Sequence, residues 1–264
     1  MKKLNFLFSR SKQEQDKPIR DKLKTRKDFE RVLAEDLDIM ETTKARMDTA
    51  KNINLYMYRS LSYSYILILQ SKYSVDAKID ELRDIYIKSM YYFLQAFNKR
   101  NPIYADILNY VSLGVLLNIP DNNFRQLIDY VKQMDKQAKP SGWTPDLLLW
   151  FMLNSRLKEQ EKLKYAETLA YPRLYNGLYK VIQAPNAAAA KDALNKYLDR
   201  WYNLNSDAPW YNSHLKDNSY RGYWAWEVAA VAKIMHIDDS DLKNNQYYPY
   251  DMVHWEDNET TAKE

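Results

Sequence analysis

Apolar residues return at steps of three and four along most of this chain, which is the spacing of amphipathic helices. The clearest case is the segment 79–97, where the apolar residues form one stripe and the charged residues lie off it. No segment alternates apolar and polar residues for long enough to predict a strand. The pattern therefore predicts an all-α protein. The members of the stripe are Ile79, Leu82, Tyr86, Met90, Phe93 and Phe97.

The same spacing predicts the other helices and, in two places, where they begin. Asn101 is predicted to cap a helix that continues to about residue 117, with Pro102 at its first position. Thr144 and Pro145 are predicted to start the helix that contains DLLLWFML. The remaining predicted helices cover about 29–40, 53–70, 121–134, 156–169, 172–183, 187–202 and 222–234.

A polar segment, KQAKPSGW at 136–143, interrupts the helical pattern and is the best candidate for a linker. It predicts a bundle-like N-terminal helical domain over 20–137 and a second all-helical domain over 138–255, packed together. Residues 1–19 lack periodicity and are predicted to form a basic tail. Residues 256–264 are predicted to form an acidic tail.

The amino-acid composition argues against several classes of fold and function. The presence of only four glycines argues against a Gly-rich phosphate loop and against a turn-dense β-sandwich. The absence of cysteine excludes a disulfide scaffold and a Cys nucleophile, and it suits the reducing cytoplasm, where we expect the protein to act. The longest apolar runs, LLLWFML and VSLGVLLNI, are shorter than the roughly 18 residues of a membrane helix. We therefore expect no membrane association.

Charge is unevenly distributed along the chain. Residues 1–27 hold ten Lys and Arg against three Asp and Glu, whereas residues 237–264 hold two against eight. A basic segment attracts nucleic acid regardless of sequence, so a nucleic-acid-binding helical protein is one open function. The basic segment contains only two aromatic residues, Phe6 and Phe8, and no known reading motif. This favours a solvated tail without direct contact to nucleic acid.

Glu227 is the only acidic residue of the stretch GYWAWEVAAVAKI at 222–234. On a helix it shares a face with Tyr223 and Trp226, so we expect partial burial, which raises a carboxyl pKa. One interpretation is a small all-α enzyme with Glu227 as general acid and His214 as base. The other is a structural carboxylate that accepts hydrogen bonds from Tyr or Trp or pairs with Arg. The second is favoured because no third orienting group or oxyanion site is recognisable.

The sequence predicts no metal site and no cofactor. The three histidines, His214, His236 and His254, lack the spacing of a zinc motif. The run DDSD at 238–241 resembles the start of a calcium loop but lacks the required Gly and the distal Glu. Its aspartates are instead predicted to cap a short final helix.

Five sequence pieces occur in order over residues 196–255, namely KYLDRWY, WYNSH, GYWAWEVAAVAKI, IDDSDLK and YYPYD. Together they resemble the C-terminal domain of PoNi-type immunity proteins, bacterial proteins that neutralise polymorphic-toxin DNases. The segments 20–37 and 71–92 resemble the N-terminal domain of the same family less strongly. Trp226 stands where family members often carry Phe, and His236 stands where a Gly commonly ends the helix.

The resemblance implies an all-helical immunity protein without catalytic activity or cofactor. Its implied partner is a cognate DNase toxin, often one delivered by a contact-dependent secretion system of type VI. The following residues then belong to a fold-defining motif: Tyr223, Trp224, Trp226, Glu227 and His214.

We expect the toxin to bind near the C-terminus. A DNase presents a basic groove to DNA, and an inhibitor with a complementary acidic surface associates faster. Tyr and Trp are frequent hot-spot residues in interfaces. Alternatively, YYPYD at 247–251 only packs the chain end onto the core. The predicted contact residues are Asp238, Asp239, Asp241, Tyr247, Tyr248, Tyr250, Asp251, Trp255, Glu256 and Asp257.

Overall fold

The computed structural model describes residues 18–96, 103–136, 142–216 and 219–261, with side chains as far as residue 256. These ranges contain ten α-helices, three short 3-10 turns and no strand, which confirms the all-α prediction. The turns are Glu159–Glu161, Ser213–Leu215 and Ser240–Leu242. The helices are α1 Arg26–Thr49, α2 Leu55–Ser74, α3 Ile79–Ala96, α4 Tyr104–Leu116, α5 Asp121–Lys136, α6 Leu147–Asn154, α7 Pro172–Ile182, α8 Ala187–Leu204, α9 Trp226–Met235 and α10 Tyr250–Thr261.

Helices α1, α2 and α3 form a layer with α2 in the middle. α1 begins with a capping box, in which Thr25 and Asp28 accept from each other's backbone N–H groups. Connections at 50–54 and 75–78 join α1 to α2 and α2 to α3. Because such short connections make consecutive helices antiparallel neighbours, α2 packs against α1 on one side and α3 on the other.

Buried hydroxyl groups join this layer to α4. The Tyr110 hydroxyl lies 2.8 Å from Ser62 Oγ and 2.6 Å from Ser89 Oγ. Ser89 Oγ also donates to the Ser62 carbonyl at 2.8 Å. Each of these polar groups has a partner, so their burial costs little free energy.

Helix α9 is the central helix of the C-terminal half. All of its residues from Trp226 to Ala232 are buried. It packs most extensively against α4 and also contacts α6, α7, α8 and α10. Alanines at 229, 230 and 232 let these neighbours approach closely. Since α4 precedes the segment predicted as a linker and α9 follows it, one hydrophobic core joins the two halves.

The prediction of a helix over 156–169 is wrong. Apart from one 3-10 turn, the chain has no regular structure there. Asn154 Oδ1 accepts from the Leu163 N–H at 2.9 Å, and Asn154 Nδ2 donates to the Leu163 carbonyl at 2.8 Å. Asp146 Oδ2 accepts from the Ala170 N–H at 2.7 Å. The two side chains therefore satisfy three backbone groups that lack helical partners, the N–H and carbonyl of Leu163 and the N–H of Ala170.

The start of α6 differs by two residues from the prediction. Asp146, rather than Thr144, caps this helix, because its Oδ1 accepts from the Leu149 N–H at 2.8 Å. Asp146 therefore holds both the first turn of α6 and the end of the irregular segment that follows the helix.

Several predicted features lie outside the described residues. They are the end of the apolar stripe at Phe97, the helix start at Asn101 and Pro102, residues 137–141 of the predicted linker, and the basic segment as far as residue 17, with Phe6 and Phe8. The division into two domains at residue 137 stays a prediction.

Helical structure continues near the C-terminus. The aspartates of DDSD lie at the 3-10 turn Ser240–Leu242, and a longer helix, α10, follows from Tyr250 to Thr261. The segment expected to be an acidic tail from residue 256 therefore begins as a continuation of α10. Met252 and Trp255, three residues apart, form the buried side of this helix.

Gly222 precedes α9 at a position where a side chain does not fit. Its φ is +107°, and an added Cβ would collide with Ser74 Oγ and the Trp224 ring. We expect Gly222→Ala to lower the free energy of unfolding by about 1–3 kcal/mol, measured by urea denaturation. The control is Gly142→Ala, where φ is +87° but no atom lies within 4 Å of the added Cβ. An equal loss in both variants would contradict the crowding argument.

Candidate functional site

Glu227 lies in the first turn of α9 and is 7% exposed. Its Oε1 accepts a hydrogen bond from Trp201 Nε1 on α8 at 2.6 Å. Burial raises the pKa of Glu227 from 4.5 to about 7, although the Trp201 hydrogen bond opposes this shift. This arrangement is the one expected if Glu227 is a structural carboxylate that accepts a hydrogen bond from a Trp, rather than a catalytic acid.

His214 has different partners from Glu227. It lies in the 3-10 turn Ser213–Leu215, where its Nδ1 is 3.0 Å from the Tyr223 hydroxyl. The same hydroxyl accepts from the His214 N–H at 3.0 Å. His214 and Tyr223 therefore stabilise a loop. The hydrogen-bond partner of Glu227 is Trp201 and that of His214 is Tyr223, so the two residues do not form an acid–base pair.

Trp224 and Trp226 join the C-terminal half to α2. The Tyr73 ring meets both edge-on, with its centroid 4.8 Å from that of Trp224 and 5.2 Å from that of Trp226. Trp224 Nε1 also donates to Ser74 Oγ at 2.9 Å. These contacts give the motif residues a structural role.

The other histidines serve the backbone and the packing. His236 ends α9 in the left-handed conformation, with φ +51°, which Gly adopts more readily than other residues. His254 Nε2 lies 2.7 Å from Asp239 Oδ1. Among the side chains that the structure describes, no three His, Asp or Glu form a group that could hold a metal ion.

Three of the predicted toxin contacts are buried. Asp239 and Tyr248 are each 2% exposed, and the Tyr248 hydroxyl donates to Asp239 Oδ2 at 2.6 Å. Trp255 is 7% exposed and donates from Nε1 to the Leu116 carbonyl at 3.0 Å. The polar groups of these three side chains are paired inside the fold. The side chains therefore pack the end of the chain onto the core and are not at the surface, where contacts with a toxin were expected.

Two further predicted contacts are half-buried. Tyr247 stacks on Tyr202 with ring centroids 5.3 Å apart and also contacts Trp201. Tyr250 packs on the His254 ring, with centroids 4.3 Å apart. These contacts favour the alternative that YYPYD packs the chain end onto the core.

The predicted contacts Asp238 and Asp241 lie at the surface. They flank Lys191 Nζ at 2.8 and 3.1 Å. The hydrogen bond from Lys191 is the main cause that lowers the pKa of Asp238. For both aspartates toxin binding stays a prediction.

The last predicted contacts lie on α10. Asp251 is exposed, and Glu256 is half-buried and pairs with Lys233 Nζ at 2.8 Å. The Asp257 side chain lies outside those described. For these three residues, too, toxin binding stays a prediction.

Arg20 and Arg83 connect the region around the start of α3 to α10, although the two helices are far apart in the sequence. Arg20 bridges the two regions, with Nη2 3.2 Å from Asp76 and Nε 2.7 Å from Asp251. The Arg83 guanidinium of α3 lies 4.7 Å from the centre of the Trp255 ring on α10. Carboxylates from both halves of the chain therefore share one surface.

We call this surface the acidic face. Its α3 members are exposed and stand off the apolar stripe, which the sequence pattern did indicate. No sequence signal joined this region to α10, because the contacts of Arg20 and Arg83 with α10 depend on packing between the two halves of the chain. The members of the acidic face are Asp76, Asp80, Glu81, Asp84, Asp251 and Glu256. Four of them pair with cations: Asp76 and Asp251 with Arg20, Glu81 with Lys72 at 3.9 Å, and Glu256 with Lys233.

Two family models match the chain, and together they cover most of it. The N-terminal model of the PoNe immunity proteins (PoNi) matches residues 11–129, and the C-terminal model matches residues 144–252. The chain belongs to the PoNe immunity protein family. Membership confirms the resemblance and indicates an immunity protein against PoNe nuclease toxins.

A solved structure has the same fold as this PoNi family member. The crystal structure of protein PA2201 from Pseudomonas aeruginosa matches with a TM-score of 0.69 and 19% sequence identity. The match covers 95% of this chain and 93% of that chain. At this identity the likeness concerns the fold alone. No curated protein matches the chain.

No helix within the described part of the chain combines the length and the apolar character needed to span a membrane.

Proposed function

We propose that this immunity protein binds its cognate PoNe toxin directly in the cytoplasm and thereby neutralises a DNase delivered by a type VI secretion system. The observation that carries the proposal is the match of both PoNi family models in chain order. In the proposed mechanism, the protein acts by occupying a surface of the toxin and performs no catalysis.

The acidic face is the surface that we propose meets the toxin. A DNase needs a basic groove to hold the DNA phosphates, and a surface rich in carboxylates complements that groove. Four carboxylates of this face lie on α3 or just before it, and Asp80, Glu81 and Asp84 are exposed. Because Glu81 pairs with Lys72 and Asp76 with Arg20, the attraction to the basic groove would rest mainly on Asp80 and Asp84 and would raise the association rate.

Co-expression tests the function directly. If the gene immediately upstream encodes a large protein that ends in a nuclease-like domain, that protein is produced in a sensitive host with and without the immunity protein, and survival and co-purification are scored. We expect rescue of growth and a stable complex. Continued killing in cells that contain soluble immunity protein would contradict the proposal for that toxin.

Charge reversal tests the role of the acidic face. We expect Asp80→Lys with Asp84→Lys to slow association with the nuclease domain about tenfold at low salt and to weaken its salt dependence, because the steering field is reversed. Stopped-flow kinetics at several salt concentrations measures both effects.

A matched control carries the same change in net charge elsewhere. Asp129 on α5 and Asp199 on α8 are exposed and lie outside the acidic face. Asp129→Lys with Asp199→Lys should slow association much less. Equal slowing by the two double variants would indicate that only net charge matters and would count against the acidic face.

A further inference from the structure

Glu227 is a buried acid without a cation beside it. Its carboxyl group accepts hydrogen bonds from Trp201 Nε1 and from its own backbone N–H. No Lys, Arg or His in the described part of the chain pairs with it. A carboxylate without a counter-ion is costly to bury, so ionisation of Glu227 favours any conformation that admits water to it.

Three tyrosines from three helices interact electrostatically with Glu227. They are Tyr104 of α4, Tyr175 of α7 and Tyr197 of α8, and all three are buried. Burial is the main cause that raises the pKa of each hydroxyl group above its ordinary value of 10.0, and the charge of Glu227 contributes to each rise. These tyrosines are therefore neutral near neutral pH and supply no compensating charge.

Charged groups on α6, α9 and α10 do not compensate Glu227 either. Asp146, which caps α6, is itself an acid and accepts from the Tyr104 hydroxyl at 2.8 Å. Lys233, the cation of α9, lies six residues further along the helix, about 9 Å along its axis, and pairs with Glu256 of α10. The ionised carboxyl group is therefore stabilised only by hydrogen bonds.

Trp201, the donor to Glu227, is covered by aromatic rings from two irregular segments. The Trp210 ring stacks on it with centroids 5.4 Å apart, and the Tyr247 ring lies 5.6 Å away. Trp201 is buried, whereas both covering rings are half-buried. Trp210 and Tyr247 therefore form the outer layer over the hydrogen bond between Trp201 and Glu227.

The segment 205–215, which carries Trp210, has few buried anchors. Its backbone forms turns and one 3-10 turn, and Ser213 is its one buried residue. Ser213 Oγ and His214 Nδ1 connect the segment to the Tyr223 hydroxyl at 3.1 and 3.0 Å. Segments with little buried surface open at a lower free energy than the core does.

We propose that Glu227, Trp201 and the segment 205–215 form a pH-sensitive switch, in which ionisation of the buried carboxyl group opens the segment and admits water. The switch is independent of toxin binding. The pKa of Glu227 is about 7 when it is buried, against an ordinary value of 4.5 when it is hydrated. The opened population therefore rises as pH increases from 4.5 to about 7 and is constant above this range.

The absence of cysteine from this chain allows a single introduced thiol to report the opening. Ser213→Cys places a thiol where the side chain is buried while the segment is closed. Its rate of reaction with an aromatic disulfide reagent is measured in the full-length chain, once with Glu227 and once with Glu227→Gln. The ratio of the two rates cancels the pH dependence of the thiol itself. We expect this ratio to increase at least about tenfold from about pH 5.5 to about pH 8.

Ser71→Cys is the matched control for global unfolding. Ser71 is fully buried in α2, and its hydroxyl has no hydrogen-bond partner among the described residues, so the substitution removes no hydrogen bond. Local opening should label Ser213→Cys much faster than Ser71→Cys at the higher pH. Equal rates at the two positions would show that only global unfolding responds to Glu227 and would overturn the switch. A ratio for Ser213→Cys that does not change with pH would also overturn it.

The indole N–H of Trp201 provides a second measurement in the chain without a thiol. Its NMR signal is identified by its loss in Trp201→Phe. We expect this proton to exchange with solvent faster in the unaltered protein than in Glu227→Gln, by a factor that increases with pH over the same range. A factor that stays constant with pH would count against the switch, even if Ser213→Cys does not fold.

Discussion

Replacing Arg221 by Ala is expected to lower the free energy of unfolding by about 3–5 kcal/mol, because it leaves the Asp36 carboxylate buried and without its bidentate partner. Arg221 Nε lies 2.6 Å from Asp36 Oδ2, and Nη2 lies 2.9 Å from Oδ1. The two residues are 8% and 3% exposed. This bidentate pair joins α1 to the segment that leads into α9, so its loss weakens the contact between the two halves of the chain.

Urea denaturation of three variants checks this expectation. Arg31→Ala removes an exposed pair with Glu35 on the same helix, 3.8 Å apart, and should cost less than about 1 kcal/mol. The double variant Asp36→Ala with Arg221→Ala should be more stable than Arg221→Ala alone, because the buried carboxylate is removed as well. If Arg221→Ala is no less stable than Arg31→Ala, the buried pair does not hold the halves together.

Glu227 is expected to make the stability of the protein depend on pH. Its pKa is about 7 in the folded protein because of burial, against an ordinary value of 4.5. Between these values the folded state holds a proton that the unfolded state releases, so the free energy of unfolding decreases as pH rises from 4.5 to about 7. Below this window both states are protonated, and above it both are ionised.

The variant Glu227→Gln isolates this effect. The amide oxygen still accepts from Trp201 Nε1 but does not ionise. The free energy of unfolding of the unaltered protein, relative to Glu227→Gln, should fall by about 2–3 kcal/mol between about pH 5 and pH 8. Urea denaturation at both pH values measures the difference, in which the contributions of other titrating groups largely cancel.

A second comparison controls for the loss of one carboxylate. Glu167 is exposed in the irregular segment before α7, and Glu167→Gln removes the same charge from the surface. The difference between the unaltered protein and Glu227→Gln should change with pH much more than the corresponding difference for Glu167→Gln. A difference for Glu227→Gln that stays constant over this pH range would show that its carboxyl is not perturbed by burial.

Local sequence patterns predicted the helical class and the inward side of the helices. The stripe from Ile79 to Phe93 is buried in α3 as predicted, because helical periodicity is a property of neighbouring residues. The burial of Glu227 also followed from its apolar neighbours on one face. A Trp donor was among the predicted partners, but Trp201 itself was identified only by the packing of α8 against α9.

Where the structure differs from the predictions, partners distant in the sequence decide the local arrangement. The segment 156–169 has no regular structure, and Asn154 and Asp146 bind backbone groups within it and just after it. Asp239 and Trp255, expected at the surface, are buried because α10 packs against α9 and the end of α4. Short-range periodicity carries no information about such contacts.

By itself, the sequence of this protein determined an all-α chain, a buried carboxylate on α9 and a set of motifs that resemble one immunity-protein family. Only the tertiary structure decided which acidic residues share a surface. Asp76 and Asp251 are separated by more than half of the chain, and they share a surface because Arg20 pairs with both of them. The physical reason is that helix formation depends on neighbours within one or two turns, whereas the position of a charge on the surface depends on how the whole core packs.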